Sequence, residues 1–162
     1  MSGTPRNDQY QHTEDALCSH RLFSLHGDYR RAVLRWVETA IEDMGSRKMP
    51  MTLMLDSGAF TAWNKGKTTS VDDVLSSYGE FMDIAGDAFD NVYMINLDVI
   101  PGERGVDPTP EQIDDAVRVS DINFKMLTDR FGPVILPVYH QGESADRLKE
   151  VEEQASYICV SP

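Results

Sequence analysis

The feature that most constrains this chain is a strict alternation along its length. Five short apolar runs are separated by four segments of helical period. The runs are LFSLH (Leu22–His26), MTLML (Met51–Leu55), VYMINLDV (Val92–Val99), VILPVYH (Val134–His140) and YICVS (Tyr157–Ser161). Most of them lack the polar alternation of a half-exposed antiparallel strand. Continuous apolar runs suit parallel strands covered on both faces.

The intervening segments carry helix stripes and helix punctuation. After Asp28, the residues Val33, Trp36, Val37, Ala40, Ile41 and Met44 share one face, and Gly45 closes the segment. Ser70 opens a second stripe of Val71, Val74, Leu75, Tyr78, Phe81, Met82 and Ala85, stopped by Gly86. Thr109, Pro110 and Gln112 form a capping box with proline at the first helical position. Ile113, Ala116, Val117, Phe124 and Leu127 follow, up to Gly132-Pro133. The fourth helix starts at Ser144 and carries Ala145, Leu148, Val151 and Ala155.

A βαβαβαβαβ order predicts an α/β fold with parallel strands and right-handed crossovers. No GxGxxG or GxxxxGK follows any strand, which favours a (β/α) TIM-type barrel over an open nucleotide-binding sheet. A complete barrel takes about 250 residues. The chain has 162, so residues 21–162 are expected to form an incomplete barrel of about five strands and four helices. Completion by a complementing C-terminal chain or a homo-oligomer would cover its open edge. Residues 1–20 are polar and read as a flexible N-terminal leader without the apolar core of a signal peptide.

Charge and cysteine content narrow the function classes. The net charge of −12 is uneven: residues 1–50 hold seven Lys/Arg and seven Asp/Glu, and the later residues hold the whole acidic excess. Such a balance lacks the basic footprint usual for nucleic-acid binding. Cys18 and Cys159 lie far apart with no CxxC spacing, so no structural zinc site is expected. No apolar run approaches the ~20 residues of a membrane span. The expected location is cytoplasmic.

Polar side chains gather where the strands end. His26 and Asp28 follow the first run, Asp56-Ser57-Gly58 the second, Asp98 and Pro101-Gly102-Glu103 the third, and His140-Gln141-Gly142-Glu143 the fourth. In parallel α/β folds these points converge on the carboxyl edge of the sheet, where active sites are built. Asp28 and Ser144 are explained as helix caps. Asp56 is not, since the next clear helix begins about fourteen residues on. Asp98 lies within an apolar run, and a buried acid is costly unless it is paired.

These motifs resemble a known group. LMLDSGAF, INLDVIPG, PVYHQGE and YICVSP look like successive strand ends of the tRNA-guanine transglycosylase superfamily. The likeness is nearest to its phage and bacterial relatives that place 7-deazaguanines in DNA, and it runs from about Leu22 to Pro162. The resemblance implies exchange of guanine for a 7-deazaguanine in DNA or tRNA through a covalent glycosyl-enzyme intermediate. It makes Asp56 the catalytic general acid/base, Asp98 the reader of the guanine edge, and Gln141 a hydrogen-bond partner of the base. Gly142 and Gly58 would give the ligand room, Phe60 (or Tyr139) would stack on it, and Ser57 and His140 would complete the binding wall. The family's nucleophilic aspartate and its zinc site would lie downstream, so this chain would form the base-binding part, hold no cofactor and be inactive alone.

Two other classes remain open on the residues. A metal-dependent TIM-barrel hydrolase would use His26, Asp56, Asp98, His140 and Glu143 as ligands, though no HxH or HExxH spacing is present. A non-catalytic fragment or partner subunit would bind base or nucleic acid without chemistry.

Overall fold

The computed structural model describes residues 20–27, 29–45 and 49–161. Residues 1–19 of the expected leader, Cys18 among them, and Asp28 therefore lie outside the described residues, while His20 opens the first strand. The chain divides into two compact units, residues 1–57 with 72–94 and residues 58–71 with 95–162.

The first unit is built on β1 (His20–Ser24), β2 (Met49–Asp56) and β3 (Phe89–Ile95). β1 and β2 pair in parallel from His20↔Thr52 to Ser24↔Asp56, and β2 pairs in parallel with β3. Parallel neighbours need a crossover, which α1 (Tyr29–Met44) and α3 (Val71–Ala85) supply. Both helices turn the expected stripes inward: Val33, Trp36, Val37 and Ala40 from α1, and Val74, Tyr78 and Phe81 from α3, are buried. Trp36 organises this core, with Phe23 edge-on at 4.9 Å and Phe89 stacked at 6.2 Å. The buried Tyr78 hydroxyl donates to the Leu55 carbonyl at 3.1 Å.

The second unit contains α2 (Ala59–Asn64), α4 (Pro110–Phe131), β4 (Ile135–Leu136), β5 (Val138–His140), α5 (Ala145–Gln154) and β6 (Cys159–Ser161). Its chain picks up at Ile95, the last residue of β3, and the Asn96 amide donates to the Leu136 carbonyl at 2.9 Å. Within this unit β5 and β6 form a parallel pair of their own, which β4 does not join. The break falls at Pro137. Proline has no N–H to give a ladder, and the Pro137 carbonyl instead accepts from the Cys159 amide at 2.9 Å.

The fold is thus mixed α/β with parallel strands, as the alternation predicts. Three local expectations change. The fourth run is two short strands rather than one. The third strand starts at Phe89 and ends at Ile95, so Asp98 stands beyond the strand and not inside it. A short helix, α2, begins three residues after Asp56. Six residues, AFTAWN, are too few to show a helical period, which is why the pattern hid it. Its N-cap is Gly58, with no side-chain cap, so Asp56 is still not a cap. No helix among the described residues is long and apolar enough to cross a membrane.

The Thr109 capping box forms in full, with the Gln112 amide donating to the Thr109 hydroxyl and the Thr109 amide donating to the Gln112 side chain. Thr109→Ala should lower stability by about 1 kcal/mol in urea denaturation, with the slope of the transition unchanged.

Candidate functional site

The site is built around an irregular segment, Asn96 to Val99, that leaves β3 and must satisfy its backbone without a sheet. Helix α4 does this. Ala116, Ser120, Asn123 and Leu127 recur at helical spacing and are all buried. The Asn123 amide donates to the Leu97 carbonyl at 2.8 Å, and the Val99 amide donates to the Ser120 hydroxyl at 2.8 Å. Asn96 returns a bond, its side-chain amide donating to the Ser120 carbonyl at 3.0 Å. Asp98 sits between these anchors, so its carboxylate is presented from a fixed backbone. Ser120 and Asn123 were not among the residues expected to matter. Their signal was readable, because polar residues occupied two positions of an otherwise apolar stripe.

His140, the last residue of β5, meets Asp98. Its Nε2 lies 2.8 Å from Asp98 Oδ2, and its Nδ1 lies 3.1 Å from Glu143 Oε1. All three side chains are buried: 4% exposed for His140, 9% for Asp98 and 7% for Glu143. A neutral imidazole has one N–H and one lone pair, and would turn that lone pair against one carboxylate. The imidazolium donates to both. Burial by itself opposes the charged ring, but the hydrogen bonds and charges of Asp98 and Glu143 outweigh it and push the His140 pKa up to about 9.

Behind Glu143 stands Arg147 of α5. Its guanidinium bonds Asp121 of α4, and its Nη1 lies 3.3 Å from Glu150. Its Nε stays 3.9 Å from Glu143 Oε2. Ser144 caps α5 by accepting from the Arg147 amide at 3.1 Å, which fixes where this arginine starts.

The other expected site residues fall differently. Asp56 closes β2 and Ser57 follows it, both in the first unit, with Ser57 buried. Gly58 adopts φ +83°, a left-handed conformation that glycine reaches without strain. It leads the chain into α2. Gly142 likewise has φ +103°, and a Cβ there would meet no protein atom within 4 Å. Gln141 is exposed, and its backbone N–H donates to the Ser161 carbonyl at 3.0 Å. Tyr139 ties its hydroxyl to the Glu143 carbonyl at 2.9 Å. Phe60 is 56% exposed.

Asp98 also lines a cavity of about 330 Å³, walled mainly by apolar groups such as Ala62, Leu97, Ile100 and Val119. The aromatic in this wall is Trp63, not Phe60. Its indole N–H donates to the Gly102 carbonyl at 3.0 Å, which orients the ring. Lys67 and Thr69 add polar points, and the Thr69 hydroxyl is buried without a hydrogen-bond partner.

No protein-family model and no curated protein matches the chain. Among the described residues, no group of three or more His, Cys, Asp or Glu side chains is disposed to hold a metal ion. Of the five ligands a hydrolase would need, Asp98, His140 and Glu143 do come together. They do so as a hydrogen-bonded set, with both ring nitrogens of His140 facing carboxylates.

The raised His140 pKa carries a pH dependence of definite sign. The unfolded ring titrates near 6.5 and the folded one at about 9. The stabilisation is therefore complete below pH 6.5 and lost as pH rises through 9. At roughly 1.4 kcal/mol per pH unit between the two values, it amounts to about 3 kcal/mol. Denaturant unfolding measured from pH 6 to 10 should show this decline, and Asp98→Asn should flatten it.

Proposed function

We propose that the second unit carries a purine-binding pocket, in a protein that exchanges guanine for a 7-deazaguanine in nucleic acid. One observation carries this: a buried carboxylate, Asp98, paired with His140 at 2.8 Å, forms part of the wall of a cavity about 330 Å³ in volume. Pockets of roughly 300 Å³ and above suit small heterocycles. A carboxylate accepts two parallel N–H bonds, and guanine offers them side by side as N1–H and N2–H. Trp63 supplies an aromatic surface, and Lys67 and the unpartnered Thr69 hydroxyl supply polar contacts for the rest of the ring. The strand-end likeness to the guanine transglycosylases adds the reaction class and, with it, a (β/α) barrel as the complete architecture. Asp56 is then the general acid/base, and the covalent step calls for a further carboxylate as nucleophile.

Adenine presents an acceptor where guanine presents N1–H, so its N1 lone pair would face the Asp98 carboxylate and one of the two parallel hydrogen bonds would be lost. Calorimetric titration should find 7-deazaguanine bound and adenine at least 100-fold weaker. Asp98→Asn should weaken 7-deazaguanine binding by about 30-fold or more. Labelled guanine should exchange into DNA or tRNA when the protein is assayed with each polymer. Asp56→Asn should abolish exchange while base binding persists. A protein that binds neither base, or an Asp98→Asn variant that binds normally, would overturn the proposal.

A further inference from the structure

We propose that Glu143 is a positioning residue that acts on the site through His140, holding the ring doubly protonated so that Asp98 always meets its ligand as a charge-paired carboxylate. Nothing in the base-exchange chemistry itself calls for this residue. Glu143 approaches the ring from the side opposite Asp98, and it is nearly as buried as the histidine. Removing its charge leaves Nδ1 free to be a lone pair, which admits the neutral imidazole. Keeping it requires protons on both nitrogens.

The surroundings direct the Glu143 charge at the ring. Arg147 is the cation best placed to neutralise it, yet Asp121 and Glu150 hold the two Nη groups of that guanidinium. The remaining Arg147 Nε and Glu143 Oε2 are both buried without a hydrogen-bond partner, 3.9 Å apart. Arg147 thus forms a loose ion pair with Glu143 without a hydrogen bond to it, and leaves the shorter contact of that carboxylate to the ring. The loop after β3 contributes Asp98, and the face of α4 toward that loop contributes only the uncharged Ser120 and Asn123. Lys67 is the cation on the wall of the adjoining cavity. Two carboxylates therefore act directly on one imidazole, and the nearest arginine hydrogen-bonds Asp121 and Glu150 while forming only a longer ion pair, 3.9 Å, with Glu143.

The consequence is a site whose charge pattern does not change across the neutral range, although its centre is a histidine. With Glu143 neutralised, the ring would titrate there and ligand binding would follow it. The ligand part rests on the purine-binding proposal above, and the protonation part does not.

Nuclear magnetic resonance of the ring nitrogens tests it in the full chain. In the unaltered protein at pH 7.5, both His140 nitrogens should show imidazolium shifts, and a pyridine-type nitrogen would overturn the proposal without any variant. In Glu143→Gln, which keeps the side-chain shape, the His140 midpoint should fall from about 9 by at least one pH unit. A midpoint that stays in place would overturn it, whatever the ligand does. The affinity for 7-deazaguanine should vary less than twofold between pH 6.5 and 8 in the unaltered protein, and should show a step at the lowered midpoint in Glu143→Gln. If the midpoint falls but neither form binds 7-deazaguanine, Glu143 keeps its role and the purine-binding proposal is the one that fails.

Discussion

An imidazolium clasped between two buried carboxylates is the interaction on which the rest of the site depends. Each member would be expensive alone, because burying an isolated charge costs several kcal/mol. Together they satisfy one another: the ring donates at both nitrogens, and Asp98 and Glu143 each accept at one oxygen. The set carries one net negative charge, which a ligand rich in N–H donors complements. A neutral histidine at the same place could serve only one of its two neighbours.

Such a cluster needs rigid support, since its components come from separate segments. Asp98 arrives on a loop, and that loop is fixed because α4 turns hydrogen-bonding groups toward it where leucines would otherwise pack. Asn123 and Ser120 replace the ladder that the segment loses when it leaves β3. Glu143 and His140 are three residues apart around the end of β5, and Ser144 starts α5 directly behind them. Pro137 matters here too, because it ends β4 and starts the separate pairing that β5 makes with β6. The position of His140 follows from that switch.

Much of this was legible in the residues. The apolar runs and helical stripes gave the α/β alternation, and four helices begin within a residue or so of the expected positions. Thr109 and Ser144 cap as their spacing predicts, because caps are local chemistry with partners two or three residues away. Asp98 and His140 stood out as strand-end polar residues. Other expectations failed for identifiable reasons. Gly58 and Gly142 both take positive φ, a backbone requirement that their positions in the sequence did not reveal. Phe60 was chosen over Trp63, although only the latter lines the cavity. α2 was too short to announce itself.

The sequence by itself determined the alternation of strands with long helices, the starts of the four long helices and the residue types available at the strand ends. These depend on periodicity and on contacts a few positions apart. Only the tertiary structure decided that His140 bonds to Asp98, 42 residues away, and that Arg147 makes its closest ion pair with Asp121 of α4. The protonation of the histidine could not be read from the chain, because an imidazole alone titrates near neutrality. It becomes a lasting cation only where folding brings two carboxylates to its two nitrogens and excludes the water that would otherwise screen them.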